Sequence, residues 1–486
     1  MAAAYAVFAL TSCQEKETPA TEDVAGPEIL WASNPDFETQ VITESMDVKI
    51  SITAPAGISS FVVTVTSDAL TPIIGGSTLD FVNPSNDLIG GIVSSIIGEG
   101  VSVAGATDLD LDLSNLVPLI LTVTQEEGDH VFKLDITDAN GKTATATCTF
   151  HRAAVTVSVS DVDLWANTAV VTVEGGSELA YRVKGTENWN ALTATDGIYT
   201  IAPVWSEGTN EAGLAVYTLT EGTGIFAGNT YEFQVDGTLV ESADFTAEDG
   251  DVIPNGDMSG WSFRDEAKTL AYPNADGKSF WDCGNNSMTP SLCTESSGAA
   301  FMKPTNAFIG YAPGNLYVGD FEKPANAITG TAKFGKVYEW TARPSALKVS
   351  YKAAVGLINN PGAYDPLKNE LKGKPDTARI YAVIVDWAVQ HEVVSGFGAP
   401  TGSWDPSDMS GLAENEKVLG YAMFDITSDQ ETFTDKEIPF IWYDIESKPS
   451  DGSYSLVISC ATSKRGDYLT GGADNELYVD NFEWVY

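Results

Sequence analysis

HVFKLDITDANGKTATATCTF, residues 130–150, is the stretch that decides how the first part of this chain folds. Phe132, Leu134 and Ile136 alternate with Lys133, Asp135 and Thr137, the period of two that puts one face of a strand on a core and the other in water. Asp138, Ala139, Asn140 and Gly141 interrupt the alternation, and TATATCTF resumes it. An Asn-Gly pair between two alternating runs is the strongest short-range hairpin signal, because glycine accepts the left-handed backbone a tight turn requires. The same alternation in DVKISIT (47–53), SFVVTVTS (60–67) and LILTVTQ (119–125) predicts further strands.

Extended over residues 28–152, this pattern looks like an immunoglobulin-like sandwich. One piece departs from it. NDLIGGIVSSIIGEG (86–100) is predicted to form a short amphipathic helix, too short to span a bilayer and suited to covering a core. A second unit, 153–249, carries VTVSVSDV, WANTAVVTV, LAYRVKG, GIYTIAPV, GLAVYTLT and TYEFQVDG at the spacing of a small sandwich. Tyr231 stands where fibronectin type III-like domains often carry a corner tyrosine. Neither unit shows a catalytic constellation, and both suit the task of holding a distal domain away from a surface.

Composition narrows the function. At 486 residues the chain has room for about three domains. Lys and Arg number 26 against 68 Asp and Glu, a net charge of -42 that repels phosphate backbones and excludes nucleic acid as a partner. After the opening residues no apolar run reaches the roughly 18 needed for a membrane-spanning helix.

The opening itself is different. MAAAYAVFALTSC (1–13) is an apolar stretch ending in small residues, although the basic segment that normally begins a signal peptide is missing and the start is expected a few codons upstream. Leu10, Thr11, Ser12 and Cys13 resemble a bacterial lipobox, in which the cysteine becomes the first mature residue and carries lipid. Gln14, Glu15, Lys16 and Glu17 resemble the export tag of Bacteroidota surface lipoproteins. The expected arrangement is a signal peptide over 1–13, a lipid anchor on Cys13, a flexible linker over 14–27 and a location on the outer membrane at the cell surface.

The last half of the chain carries motifs of another kind. VIPNGDMSGW (252–261) opens it, NELYVDNFEWVY (475–486) closes it, and both resemble the first and last strands of jelly-roll carbohydrate-binding modules. Together with WDCGNN, GNLYVGDFEK, FGKVYEWTARPSALKVSYKA and SLVISCATSKRGDYLTGGADNELYVD, in that order, residues 250–486 resemble the putative carbohydrate metabolism domain of Bacteroidota surface lipoproteins. The fold implied is all-β: two immunoglobulin- or fibronectin-like sandwiches followed by a C-terminal jelly-roll β-sandwich. The partner implied is a polysaccharide or host glycan.

A sugar site needs flat aromatic rings beside planar hydrogen-bonding groups. Of the tryptophans in the last half, Trp340 and Trp484 sit in strand-like runs and are expected in the core. Trp281 shares a Gly-containing loop with Asp282 and Asn285, which makes these three the candidate carbohydrate-binding residues, with turn capping as the competing role of Asp282 and Asn285. Cys283 and Cys293 bracket that loop and are expected to pair as a disulfide, since no histidine or further cysteine lies near to make a zinc site. Cys148 and Cys460 read as buried thiols. Jelly-roll sugar-binding modules often hold a structural calcium; Asp480 matches one of its ligands, while Ser259 stands where a glutamate is expected and Asp257 is the available substitute.

Three histidines, His130, His151 and His391, form no HExxH motif, and no GxSxG occurs, which disfavours metalloprotease and serine-esterase chemistry. Glycoside hydrolysis needs only two carboxylates about a cleft, and Asp386, Glu392 and Asp467 are the candidates by position. The reading that results is a surface lipoprotein binding glycan through its jelly roll. The rivals are a glycoside hydrolase on the same jelly roll and an adhesin or fimbria-like protein whose ligand is another protein.

Overall fold

The computed structural model describes residues 24–33, 39–43, 45–124, 126–307, 310–324 and 328–486. It is all-β, with 46% strand against 7% helix and no closed barrel among the described residues. The chain divides into two compact units, residues 1–156 with 174–177, and residues 157–173 with 178–486. The expected lipid anchor Cys13 and most of the expected linker fall outside the described residues.

In the first unit the hairpin forms as its pattern dictates. Gly128–Asp138 and Thr143–Arg152 pair antiparallel with Phe132 opposite Cys148 and Leu134 opposite Ala146. Gly141 takes the left-handed conformation at φ 78°, and the Asp138 carboxylate accepts the Asn140 and Lys142 amides at 2.9 and 2.8 Å. This hairpin is central in a sheet ordered Gln40–Val41, Thr143–Arg152, Gly128–Asp138, Ile58–Thr66, Thr78–Asp80. Glu28–Trp31, Lys49–Thr53 and Asp108–Asp112 make a second sheet. Phe61, Val63, Leu134, Ile136 and Phe150 of the first meet Ile50, Ile52 and Leu109 of the second in one core.

Asp87–Ile97 is the expected helix, capped by the Asn86 side chain on the Ile89 amide and burying Ile89, Val93 and Ile96 against that core. The strand expected at 119–125 does not form. Residues 117–123 are helical instead, with Pro118 in the first turn, where its missing N–H costs nothing, and Val117, Ile120 and Leu121 burying one helical face. Alternation in so short an apolar run also satisfies a helix, and the proline decides it.

In the second unit Leu179–Val183 pairs with Thr230–Val235, and the buried Tyr231 hydroxyl accepts the Phe226 amide at 2.6 Å, as a corner tyrosine does. The hairpin Trp205–Thr209 and Ala215–Leu219 then joins a long sheet that continues through Ile441–Trp442, Lys417–Ile426, Ala378–Trp387, Tyr454–Ala461, Asn315–Glu322, Thr329–Phe334 and His391–Gly396. Through this hairpin, 205–219, the region before residue 250 shares a sheet with the C-terminal region within one compact unit. At this junction the Arg343 guanidinium lies 5.1, 5.6 and 4.9 Å from the rings of Trp165, Trp205 and Trp442.

Opposite the long sheet stand Cys293–Ser296, Ala299–Met302, Glu476–Val485, Ala346–Ala354 and Gln430–Pro439. Ile380, Ala382, Ile384, Leu456, Ile458 and Leu316 from one sheet and Leu347, Val349, Leu477, Val479 and Trp484 from the other fill the space between them. Because side chains alternate, Arg379, Tyr381, Ser459 and Tyr317 point to the other side of the long sheet, away from this core. That outer face carries the site.

Candidate functional site

A cleft of about 860 Å³ opens on the outer face of the long sheet. Its volume lies within the range of small-molecule sites. Tyr317, Phe334, Tyr381 and Ser459 form its floor, and loops bearing Asn286, Leu367, Trp404 and Asp467 rise around it.

The floor is aromatic by construction. Phe334 lies 4.9 Å from Tyr317, and the Trp404 ring stands edge-on 6.0 Å from Phe334 and 5.9 Å from Tyr381. Trp404 comes from a loop rather than a strand, and His391 fixes that loop: its two ring nitrogens are 2.8 Å from Glu416 and 2.7 Å from the Gly402 carbonyl. Behind Trp404 sits Trp387 at 5.4 Å, so the loop ring is packed on one side and half-buried overall.

Charged groups surround the rings in paired arrangements. Arg379 donates to both oxygens of Asp425 at 2.5 and 2.9 Å and to Asp405 at 2.7 Å. Burial, the largest influence, works upward on the Asp405 carboxyl, but Ser407 and Arg379 outweigh it and hold it below the ordinary carboxylate range. Arg465 makes a bidentate pair with the fully buried Asp365 at 2.8 and 2.7 Å and lies over the Tyr468 ring at 4.6 Å. Asp467 behaves differently. Burial pushes its carboxyl up despite the Ser403 hydroxyl, the Tyr468 amide and the Arg465 charge near it.

Of the three carboxylates expected for catalysis, Asp467 alone lines the cleft. Asp386 accepts the Ser450 amide and hydroxyl at 3.2 and 2.9 Å and holds a turn elsewhere. Glu392 is exposed beside Lys333 at 3.4 Å.

The expected sugar-binding trio is corrected. Trp281 is fully buried in a short strand paired with Asn315–Glu322; its ring lies 5.0 Å from Phe482 and its N–H donates to the Pro254 carbonyl at 2.7 Å. Asp282, 3% exposed, is bound by Arg264 and accepts the Cys283 and Phe321 amides at 2.5 and 2.8 Å. Asn285 is spent closing its own loop, donating to the Ala271 and Cys293 carbonyls at 2.9 and 2.6 Å and accepting the Cys293 amide at 3.1 Å. None of the three lines the cleft, but their neighbours Gly284 and Asn286 form part of its wall.

The expected disulfide is absent. Cys283 and Cys293 are buried thiols in hydrogen-bonding contact, and burial pushes the Cys293 thiol well up. Cys148 and Cys460 are buried free thiols as read, the first pushed up to about 12 by burial. Asp480 and Asp257 do come near each other, and burial together with the Asp257 charge raises the Asp480 carboxyl. Each is engaged locally, Asp480 with the Asn481 amide and Asp257 with Ser259. Among the described residues no three His, Cys, Asp or Glu side chains converge around the pair.

Sequence reasoning passed over Trp404 and Asp405, although TGSWDPSD presents the Trp-Asp-in-a-glycine-loop signal that drew attention to WDCGNN.

Residues 261–485 match the family described as "Putative carbohydrate metabolism domain", the family that the motifs of the last half resemble. This part of the chain is therefore a carbohydrate-related domain. No curated protein matches. Among solved structures, a putative glycoside hydrolase from Bacteroides vulgatus is 17% identical over 49% of this chain and 95% of that one, with a TM-score of 0.30. A second, from Bacteroides thetaiotaomicron, is 13% identical over 97% and 99%, with a TM-score of 0.28. The Bacteroides ovatus mixed-linkage glucan utilization locus protein SGBP-B, in complex with a mixed-linkage heptasaccharide, is 11% identical over 89% and 99%, with a TM-score of 0.15. With TM-scores this low, function is read from the site itself.

Proposed function

We propose that the chain is a surface lipoprotein, anchored through Cys13, that binds a glycan in the cleft on the outer face of its jelly roll. One observation carries the reading: in a carbohydrate-related domain, Trp404, Tyr381, Phe334 and Tyr317 make an aromatic floor ringed by Arg465, Asp405 and Asp467. Sugar rings present apolar C–H faces and a fan of hydroxyls, and this surface offers a partner to each. The test is a panel of glucan, xylan, mannan and galacturonan oligosaccharides titrated onto the full chain. Binding of one class, weakened by Asp467→Asn and by Arg465→Gln, is expected; a folded chain that takes up none of them refutes the reading.

A specific observation favours hydrolysis as the second reading. Asp467 is pushed up and Asp405 held down within one cleft, and two carboxylates with environments that differ in this way are what acid and base roles require. Arg379 occupies Asp405, however, which makes it a poor nucleophile. New reducing ends that appear with wild type and vanish with Asp467→Asn decide for hydrolysis, while saccharide recovered intact decides for binding. The anchor is tested separately: Cys13→Ala is expected to release the protein from membranes, and failure of labelled palmitate to enter the wild type refutes it.

A further inference from the structure

We propose that Phe397 and Tyr364 form an outlying sugar subsite at one end of the cleft, which makes the site selective for long saccharide chains; the inference rests on the carbohydrate reading above. Phe397 is 66% exposed and Tyr364 49%, and their rings meet edge-on at 6.3 Å although they come from separate loops. Single exposed apolar residues need no explanation. These two are not single, because Ile328 and Leu367, also exposed, lie beside them in sequence or space and line the cleft.

Both loops are tied to the cleft. Asp365, next to Tyr364, is buried and holds Arg465 by two hydrogen bonds at 2.8 and 2.7 Å while accepting the Thr470 hydroxyl at 2.8 Å. Tyr364 is therefore positioned by the same anchor that positions a cleft arginine. Phe397 follows Gly396, a cleft-lining residue whose φ of 146° and whose approach to the Ile328 carbonyl leave no room for a side chain. The tip that presents Phe397 is thus an extension of the cleft wall.

The occupant that fits is a saccharide chain leaving the cleft. Its rings are amphipathic, so they cover an aromatic ring on one side and keep their hydroxyls in water, and an open rim serves them as well as a closed pocket does. A chain too short to reach the rim gains nothing from it.

Disaccharide and octasaccharide of the class identified in the glucan, xylan, mannan and galacturonan panel are titrated calorimetrically onto the full chain and onto Phe397→Ala, Phe397→Leu and Tyr364→Ala. Wild type is expected to bind the octasaccharide more tightly than the disaccharide. Each variant is expected to lose about three- to tenfold on the octasaccharide, the scale of one aromatic contact, with the disaccharide unchanged. Phe397→Leu keeps the apolar bulk without the ring face and is expected to behave like Phe397→Ala. Unchanged octasaccharide affinity in the variants, or equal losses on both lengths, overturns the subsite and leaves the carbohydrate reading standing. A wild type that binds no member of the panel overturns both.

Discussion

Trp281→Ala tests most directly what the structure says about the WDCGNN segment. The side chain is fully buried, its ring packs on Phe482 and its N–H satisfies the Pro254 carbonyl. Removing the indole leaves a cavity, for which buried Trp→Ala changes cost about 3–5 kcal/mol. It also leaves the Pro254 carbonyl without its donor, a further ~1–3 kcal/mol where water cannot reach it. The sum approaches the whole stability of an ordinary domain, about 5–15 kcal/mol, so Trp281→Ala is expected to be marginal and Trp281→Phe to lie between it and wild type. Calorimetric melting of the full chain, following the transition of the unit that holds residues 178–486, measures the effect. A variant within ~0.5 kcal/mol of wild type, the size of a surface substitution, refutes the burial of Trp281 and returns it to the ligand.

Because burial raises the Asp467 carboxyl, its folded form holds a proton more tightly than the unfolded chain does, and stability falls as pH rises through the folded titration. Asp467→Asn is accordingly expected to melt higher than wild type at neutral pH, with the gap closing under acid; a variant no more stable at neutral pH contradicts this. Cys283 and Cys293 are expected to resist a thiol reagent in the native protein and to react once it is denatured without reductant; an unreactive pair, or a mass lower by two hydrogens, indicates the disulfide instead. Arg343→Ala empties a site enclosed by Trp165, Trp205 and Trp442 and is expected to cost at least ~2 kcal/mol, since a desolvated cation on aromatic faces contributes on that scale. Its melting is expected to remain a single transition for residues 157–173 and 178–486; a split into two contradicts their shared packing.

How far the sequence could be read depended on whether local pattern or distant pairing decided a residue's environment. Phe132, Leu134 and Ile136 were legible because alternation fixes which side faces the core whatever the partner strand is. Residues 119–125 were not, since a short apolar run satisfies both periods and Pro118 settles the matter from outside it. Trp281 and Trp404 make the sharpest contrast. Each stands before an aspartate in a loop rich in small residues, yet Trp281 lies opposite Val318 in a strand pairing and vanishes into the core, while Trp404 is held over the sheet by His391 gripping Gly402. The distant partners, Val318 and His391, both lie more than ten residues from the tryptophan they place. The family motifs run through the matched residues 261–485 and hold part of the cleft, Tyr317, Arg465 and Asp467 among them, but not Trp404 or Asp405.

The ion pairs explain how so acidic a chain could hold the proposed glycan site. With a net charge of -42, unpaired carboxylates in a narrow cleft would raise one another's titration and order water tightly around them. Instead Arg379 is shared between Asp405 and Asp425, and Arg465 is held by Asp365. Each of these cations spends its charge on a carboxylate of the protein, so neither presents the bare positive field that a phosphate backbone demands. Burial pushes the Asp467 carboxyl up, which weakens its hold on a negative charge. A cleft whose cations are paired in this way, floored with aromatic rings, suits hydroxyl-rich ligands of low charge, as the proposed glycan reading requires.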